Sequence, residues 1–165
     1  MPDLFDKSVV IFGCGNILFG DDGFGPAVVE HLKSHYILPD DVLALDVGTS
    51  IRDILFDILL SEKKPRRLII VDAVDRPGKE PGELFELPVE EIPPQKTADF
   101  SLHQFPTVNM LQELKDQTGV EVTVLAAQVQ EIPEEVQPGL SQRLQWAVKE
   151  AAARLAATVN AGKKD

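Results

Sequence analysis

At 165 residues, with hydrophobic side chains at 44% and charged ones at 26%, the chain has the size and balance of one self-folding globular domain, which excludes a disordered or collagen-like polymer. A formal charge of -11, from 27 acidic against 16 basic residues, would repel a phosphate backbone from most of the surface, so nucleic acid is not an expected partner. No run of about 18 apolar residues occurs, so a helical membrane span is excluded, while a single cysteine and an N-terminus without a basic head and long apolar core predict a cytoplasmic compartment.

The first element in chain order is VVIFGC, a short apolar run rich in β-branched residues that stops at glycines, as a buried parallel strand does. After the turn GNILFGDDG, apolar residues at Phe24, Val28, Val29, Leu32 and Tyr36 recur with helical spacing until Pro39 stops the run. The unit repeats: VLALDV at 42 to 47 reads as strand, SIRDILFDILL at 50 to 60 as amphipathic helix, and RRLIIVDAV at 66 to 74 as the most apolar strand. GELFELPV at 82 to 89 is a further strand, reached across DRPGKEPG, a link too short for a parallel crossover, so it is expected to run antiparallel. A helix at 106 to 117, a strand at 120 to 129 and a helix from about 139 to 159 complete the chain. The expected fold is a three-layer α/β/α sandwich around a mixed five-stranded sheet, mostly parallel with one antiparallel strand. One domain is expected over 1–160, followed by a frayed polar tail at 161–165.

In such open sheets the crevice lies beyond the carboxyl ends of the strands, where strand order reverses between the first and third. GCGNILFGDDGFG leaves the first strand there and Asp72 ends the third. Asp72 interrupts LIIV-D-AV, where an ionised carboxylate costs several kcal/mol unless paired, hydrogen-bonded or metal-bound. Its plain alternative is a structural turn or helix cap. Asp21 and Asp22 begin the first helix, where one can cap free N–H groups and the other face the crevice; composition leaves open which does which. His103 lies in EEIPPQKTADFSLHQF, a connection longer than most, and its imidazole is either a solvated loop side chain or a metal ligand. Two carboxylates and one imidazole would make a three-ligand site with open positions for a borderline divalent ion such as nickel or zinc.

Competing patterns are weaker. GCGN matches a dinucleotide fingerprint only in part, because Leu18 stands at the third glycine position, and Asp46 is the sole supporting residue for a dinucleotide-binding oxidoreductase. His31 and His35 are four apart, yet Leu32 stands where a zincin has its glutamate, so they read as solvated side chains. Cys14 has no local histidine partner and reads as a small packing residue. No GxSxG elbow supports a serine hydrolase.

The residues GCGNILFGDDGFGP, then LIIVDAVD, then a histidine before a helix resemble the hydrogenase maturation endopeptidases over nearly the whole length, and SLHQFPTVNMLQEL is most similar to the branch serving coenzyme F420-reducing hydrogenases. The resemblance implies an α/β sandwich and an aspartic-type endopeptidase that removes a C-terminal extension from the large subunit of a nickel-iron hydrogenase once nickel is inserted. It matches the three nickel ligands to Asp22, Asp72 and His103, so that Asp22 is the crevice residue of its pair. The same three are the expected catalytic group. It implies no organic cofactor, nickel supplied by the substrate with other divalent cations able to occupy the site, and the nickel-loaded precursor as partner. A non-catalytic nickel-checking chaperone of that subunit is the alternative. Where the family tends to have a double glycine after the second strand, DVGT keeps Gly48 but has Val47 first, which puts a backbone role of that position in question.

Overall fold

The computed structural model describes residues 6–91 and 105–165, the second stretch with side chains from residue 110 onward. Its strands are β1 (Val9–Cys14), β2 (Tyr36–Ile37), β3 (Val42–Gly48), β4 (Arg67–Val74), β5 (Leu84–Glu86), β6 (Glu121–Gln128) and β7 (Gly162–Lys163), and its helices are α1 (Phe24–His35), α2 (Ile51–Leu60), α3 (Phe105–Gln117) and α4 (Gln142–Thr158). Five strands form one sheet in the order β3-β1-β4-β6-β5. β3, β1, β4 and β6 are parallel, and β5 runs antiparallel to β6. This is the mixed five-stranded sandwich expected, antiparallel strand included.

The alternation of the pleat distributes the core. Val9, Ile11, Ile69 and Val71 face one side, where α1 and α4 cover them through Val28, Leu32, Ala151 and Leu155. Val10, Phe12, Leu68 and Ile70 face the other, under Leu55 and Ile58 of α2 and Leu111 and Leu114 of α3. Both faces of the central strands are therefore dry, which is why they read as unbroken apolar runs rather than alternating ones. Each large aliphatic side chain so buried contributes about 1.5–3 kcal/mol before entropy is counted. No helix among the described residues is long and apolar enough to cross a membrane.

Three details differ from expectation. β5 is three residues long instead of eight, because Pro88 brings no N–H and the chain turns into a short 3-10 segment at Val89–Glu91. Tyr36, which keeps helical spacing in sequence, has left α1 with extended backbone (φ -131, ψ 154). It pairs instead with Lys163, and Ile37 with Gly162. The tail is thereby clipped down where fraying was expected: Lys164 N–H also donates to the His35 carbonyl at 2.8 Å.

Candidate active site

β1 and β4 lie side by side and parallel, with Gly13 opposite Val71, so the segment leaving β1 and Asp72 near the end of β4 open onto one rim. The first helix sits on this rim by backbone contact. A Cβ on Gly25 would lie 2.3 Å from the Cys14 carbonyl and 2.4 Å from that of Val71, and one on Gly13 would lie 2.4 Å from the Gly25 carbonyl. Only hydrogen at both positions lets α1 come down onto the strands. This saddle fixes where the residues just before α1 stand.

Those residues form a 3-10 turn, Gly20–Gly23, packed against β4. Neither aspartate caps α1, whose N-cap is Gly23 with no side-chain cap. Asp21, 1% exposed, turns inward as a clasp: Oδ2 accepts from Gln130 N at 2.9 Å, Glu131 N at 3.3 Å and Ser141 Oγ at 3.0 Å, and Oδ1 accepts from Ser141 N at 2.7 Å. It ties the turn to the loop after β6 and to Ser141, the N-cap of α4. Asp22 is also buried, and its Oδ2 accepts the Asn16 N–H at 3.0 Å while Asn16 Oδ1 accepts from Leu18 N at 3.0 Å. Gly15 makes this loop possible, since its φ is +136 and a Cβ there would fall 1.9 Å from the Asp22 carbonyl.

Asp72 is fully buried, with Oδ1 accepting the Ala73 N–H at 2.8 Å. Asp75 beyond it accepts from Gln128 Nε2 at 2.9 Å, and Gln128 Oε1 accepts from Arg76 N at 2.7 Å, so the turn after β4 is tied to the end of β6. A third carboxylate, Asp46 at the end of β3, is exposed and accepts the Gly48 N–H at 2.9 Å. Gly48 in turn accepts from Gly15 N at 2.9 Å, tying the β3 and β1 ends together. Val47 is buried against the α2 face, so its place is taken by core packing.

Cys14 reports on how these charges converge. Burial pushes its thiol well above the ordinary cysteine value, and the negative charges of Asp72, Asp46 and Asp22 push it further. Three carboxylates, from the ends of β3 and β4 and from the turn before α1, therefore act on one buried sulfur, which stays protonated and unreactive, as a packing residue should. Around them the surface is open. A crevice of about 260 Å³ is lined by Gly15, Asn16, Ile17, Pro26, Asp46, Gly48 and Thr49. A groove of about 530 Å³ continues from it along α1, past Ile17 and Lys33 to Leu140. Asp22 and Asp72 line neither, and the Gly15–Ile17 loop is fastened to Asp22 through the Asn16 N–H. Ile17 and Leu18 at that loop's tip are 59% and 45% exposed, large for aliphatic side chains beside a cleft.

Of the expected triplet, Asp22 and Asp72 thus stand at one rim. His103 lies outside the described residues. Among the described residues no group of three or more His, Cys, Asp or Glu side chains is arranged to hold a metal. The clasp made by Asp21 and the loop fastened by Asn16 were not anticipated from sequence. The only local signal was Asn followed two residues later by a free N–H, the signature of an Asx turn.

Comparison with known proteins gives the chain its relatives. A family model described as hydrogenase maturation protease matches residues 26–158. A candidate hydrogenase maturation protease of Methanocaldococcus jannaschii is 38% identical over 88% of this chain and 92% of its own length. The delta subunit of coenzyme F420 hydrogenase from Methanothermobacter thermautotrophicus is 34% identical over 89% and 91%. Among solved structures, the hydrogenase maturating endopeptidase HybD of Escherichia coli superposes with a TM-score of 0.72 at 29% identity, covering 94% of this chain and 97% of that one.

Proposed function

The chain belongs to the hydrogenase maturation proteases, and from that premise we propose that it is an aspartic-type endopeptidase of the cytoplasm that removes the C-terminal extension of a nickel-iron hydrogenase large-subunit precursor after nickel insertion. The observation that carries the reading is the pair of buried carboxylates, Asp22 in the turn before α1 and Asp72 near the end of β4, which that turn packs against. In this reading His103 joins them, and the three side chains bind the nickel that the precursor brings with it. Carboxylate oxygens and an imidazole nitrogen suit a borderline cation whose remaining ligands come from elsewhere. The protonated thiol of Cys14 does not compete as a soft ligand.

Binding the cargo would dock the precursor with its scissile amide at the rim. Hydrolysis then needs a water to add to the amide carbon, a base to take its proton, and return of a proton to the leaving nitrogen. A rim carboxylate can do both transfers in turn. No organic cofactor is required. The test is incubation with nickel-loaded and nickel-free precursor, read by mass spectrometry. Release of the extension from the nickel-loaded form alone is expected, and loss of release in Asp72→Asn and His103→Ala. Equal cleavage of both precursors, or an active His103→Ala enzyme, contradicts the ligand assignment.

The name of the Methanothermobacter relative, a hydrogenase subunit, favours a second reading in which the chain stays bound to the large subunit and checks its nickel without cutting. A stable complex that releases no peptide is the outcome that would select it.

A further inference from the structure

Away from the rim, α1 carries two histidines that the proposed peptidase chemistry does not use. We propose that His31 and His35 form a two-imidazole chelate for a borderline divalent cation, Ni²⁺, Cu²⁺ or Zn²⁺, on the outer face of α1, distinct from the rim carboxylates and independent of the peptidase reading. At 1.5 Å rise per residue, His31 and His35 stand roughly 10 and 16 Å down the helix axis from Phe24, toward the opposite edge of the sheet.

The geometry is that of a helical i, i+4 pair, whose side chains lie one above the other on a single face. The rings are stacked, with centroids 3.9 Å apart and planes 16° from parallel. Two nitrogens bound to one ion at about 2.0–2.1 Å stand about 3 Å from each other, and the two rings reach a common cation by turning out of the stack until their in-plane lone pairs converge. One tautomer is already selected. His35 Nδ1 lies 3.0 Å from the His31 carbonyl, and because a carbonyl only accepts, Nδ1 carries the hydrogen and Nε2 is the nitrogen left to meet a cation. An N–H held by a backbone carbonyl is the usual outer-sphere support of a histidine that ligates through its other nitrogen.

The neighbouring chain adds rigidity. Lys164 N–H donates to the His35 carbonyl at 2.8 Å and its Nζ reaches the Lys33 carbonyl at 2.8 Å, so the clipped tail holds the last turn of α1 in shape. Burial, then the second ring, hold the His31 value below that of an ordinary histidine, with Lys149 of α4 acting in the same direction. With two nitrogens and no carboxylate in the set, the pair selects against Mg²⁺ and Ca²⁺, which need oxygen ligands. Water completes the sphere.

The test is a NiCl₂ titration of the full chain in a non-coordinating buffer, followed by isothermal calorimetry and by amide and histidine NMR signals. The wild type should lose the signals of His31, His35 and the residues around them through paramagnetic broadening. His35→Asn should bind at that position at least about tenfold more weakly and keep those signals at the same nickel concentration. The Asp22→Asn/Asp72→Asn double variant, which removes the rim carboxylates, should leave α1 broadening unchanged; loss of the rim event alone would speak to the peptidase site and not to this one. Thermal melts confirm that the variants fold. Equal broadening in His35→Asn, or no broadening of α1 signals at about millimolar nickel, overturns the proposal.

Discussion

Replacing Asp21 with alanine separates the two neighbouring aspartates by experiment. Its carboxylate accepts three backbone N–H groups, of Gln130, Glu131 and Ser141, and the Ser141 hydroxyl. It does so from a position that is 1% exposed. Alanine leaves those donors facing a small void. An unsatisfied donor costs about 1–3 kcal/mol, reduced where water can enter, and hydrogen bonds to a charged group are at the strong end. The sum is about 3–5 kcal/mol, comparable to breaking a buried pair and a large part of the 5–15 kcal/mol that typically holds a domain together. With a urea m-value of about 2 kcal/mol/M for a chain of this length, the unfolding midpoint should fall by about 1.5–2.5 M. Asp21→Asn should fall between, since the amide keeps one acceptor oxygen but turns its NH₂ toward backbone donors. The assay is urea unfolding followed by far-ultraviolet circular dichroism. A shift below about 0.5 M for Asp21→Ala would refute the clasp and return Asp21 to the list of rim residues.

Three further outcomes follow from the structure. Cys14 should resist thiol reagents at pH 8 in the native state and react at the rate of an ordinary thiol once urea unfolds the chain, because burial and three carboxylates keep it protonated; fast native labelling would contradict its placement. The NMR titration midpoint of His31 should lie below about 6.5, the ordinary histidine value, since burial, His35 and Lys149 disfavour its cation. The folded form then binds the proton less well than the unfolded one, so this stabilisation is present above about pH 6.5 and is lost as pH falls through the folded value; replacing His31 with Gln should flatten stability across that window. Deleting residues 162–165 removes the Tyr36–Ile37 pairing and the hydrogen bond to His35, and should cost about 1–2 kcal/mol, or roughly 3 °C of melting temperature per kcal/mol, read by calorimetry.

What the sequence made legible was local or counted along the chain. The strands announced themselves as apolar β-branched runs ending at glycines, and the shortness of DRPGKEPG alone dictated an antiparallel β5. The position of Asp72 inside LIIVDAV marked it as a carboxylate that must be compensated. What stayed hidden depended on partners distant in the chain. Asp21 serves groups 109 to 120 residues away, so no window around GDDG could separate its task from that of Asp22 by local reasoning. Tyr36 kept the helical spacing of its predecessors, but the pairing that draws it out of α1 comes from Gly162 and Lys163, whose composition suggests only a loose end. The Asn16 loop was within reach, because its Asx turn spans two residues, yet its purpose appears only once Asp22 is seen beneath it.

The contact between Gly13 and Gly25 bears on how mutational surveys of this chain should be interpreted. Neither residue carries a functional group, yet any methyl added at Gly25 would strike the Cys14 and Val71 carbonyls and lift the helix that bears Asp22 at its root. A saturation scan scored on growth or activity would rank both glycines beside the acidic pair. Scoring abundance in parallel would pull them apart: the glycine variants would vanish from the cell, whereas under the proposed function loss of Asp22 or Asp72 would leave a plentiful but idle protein.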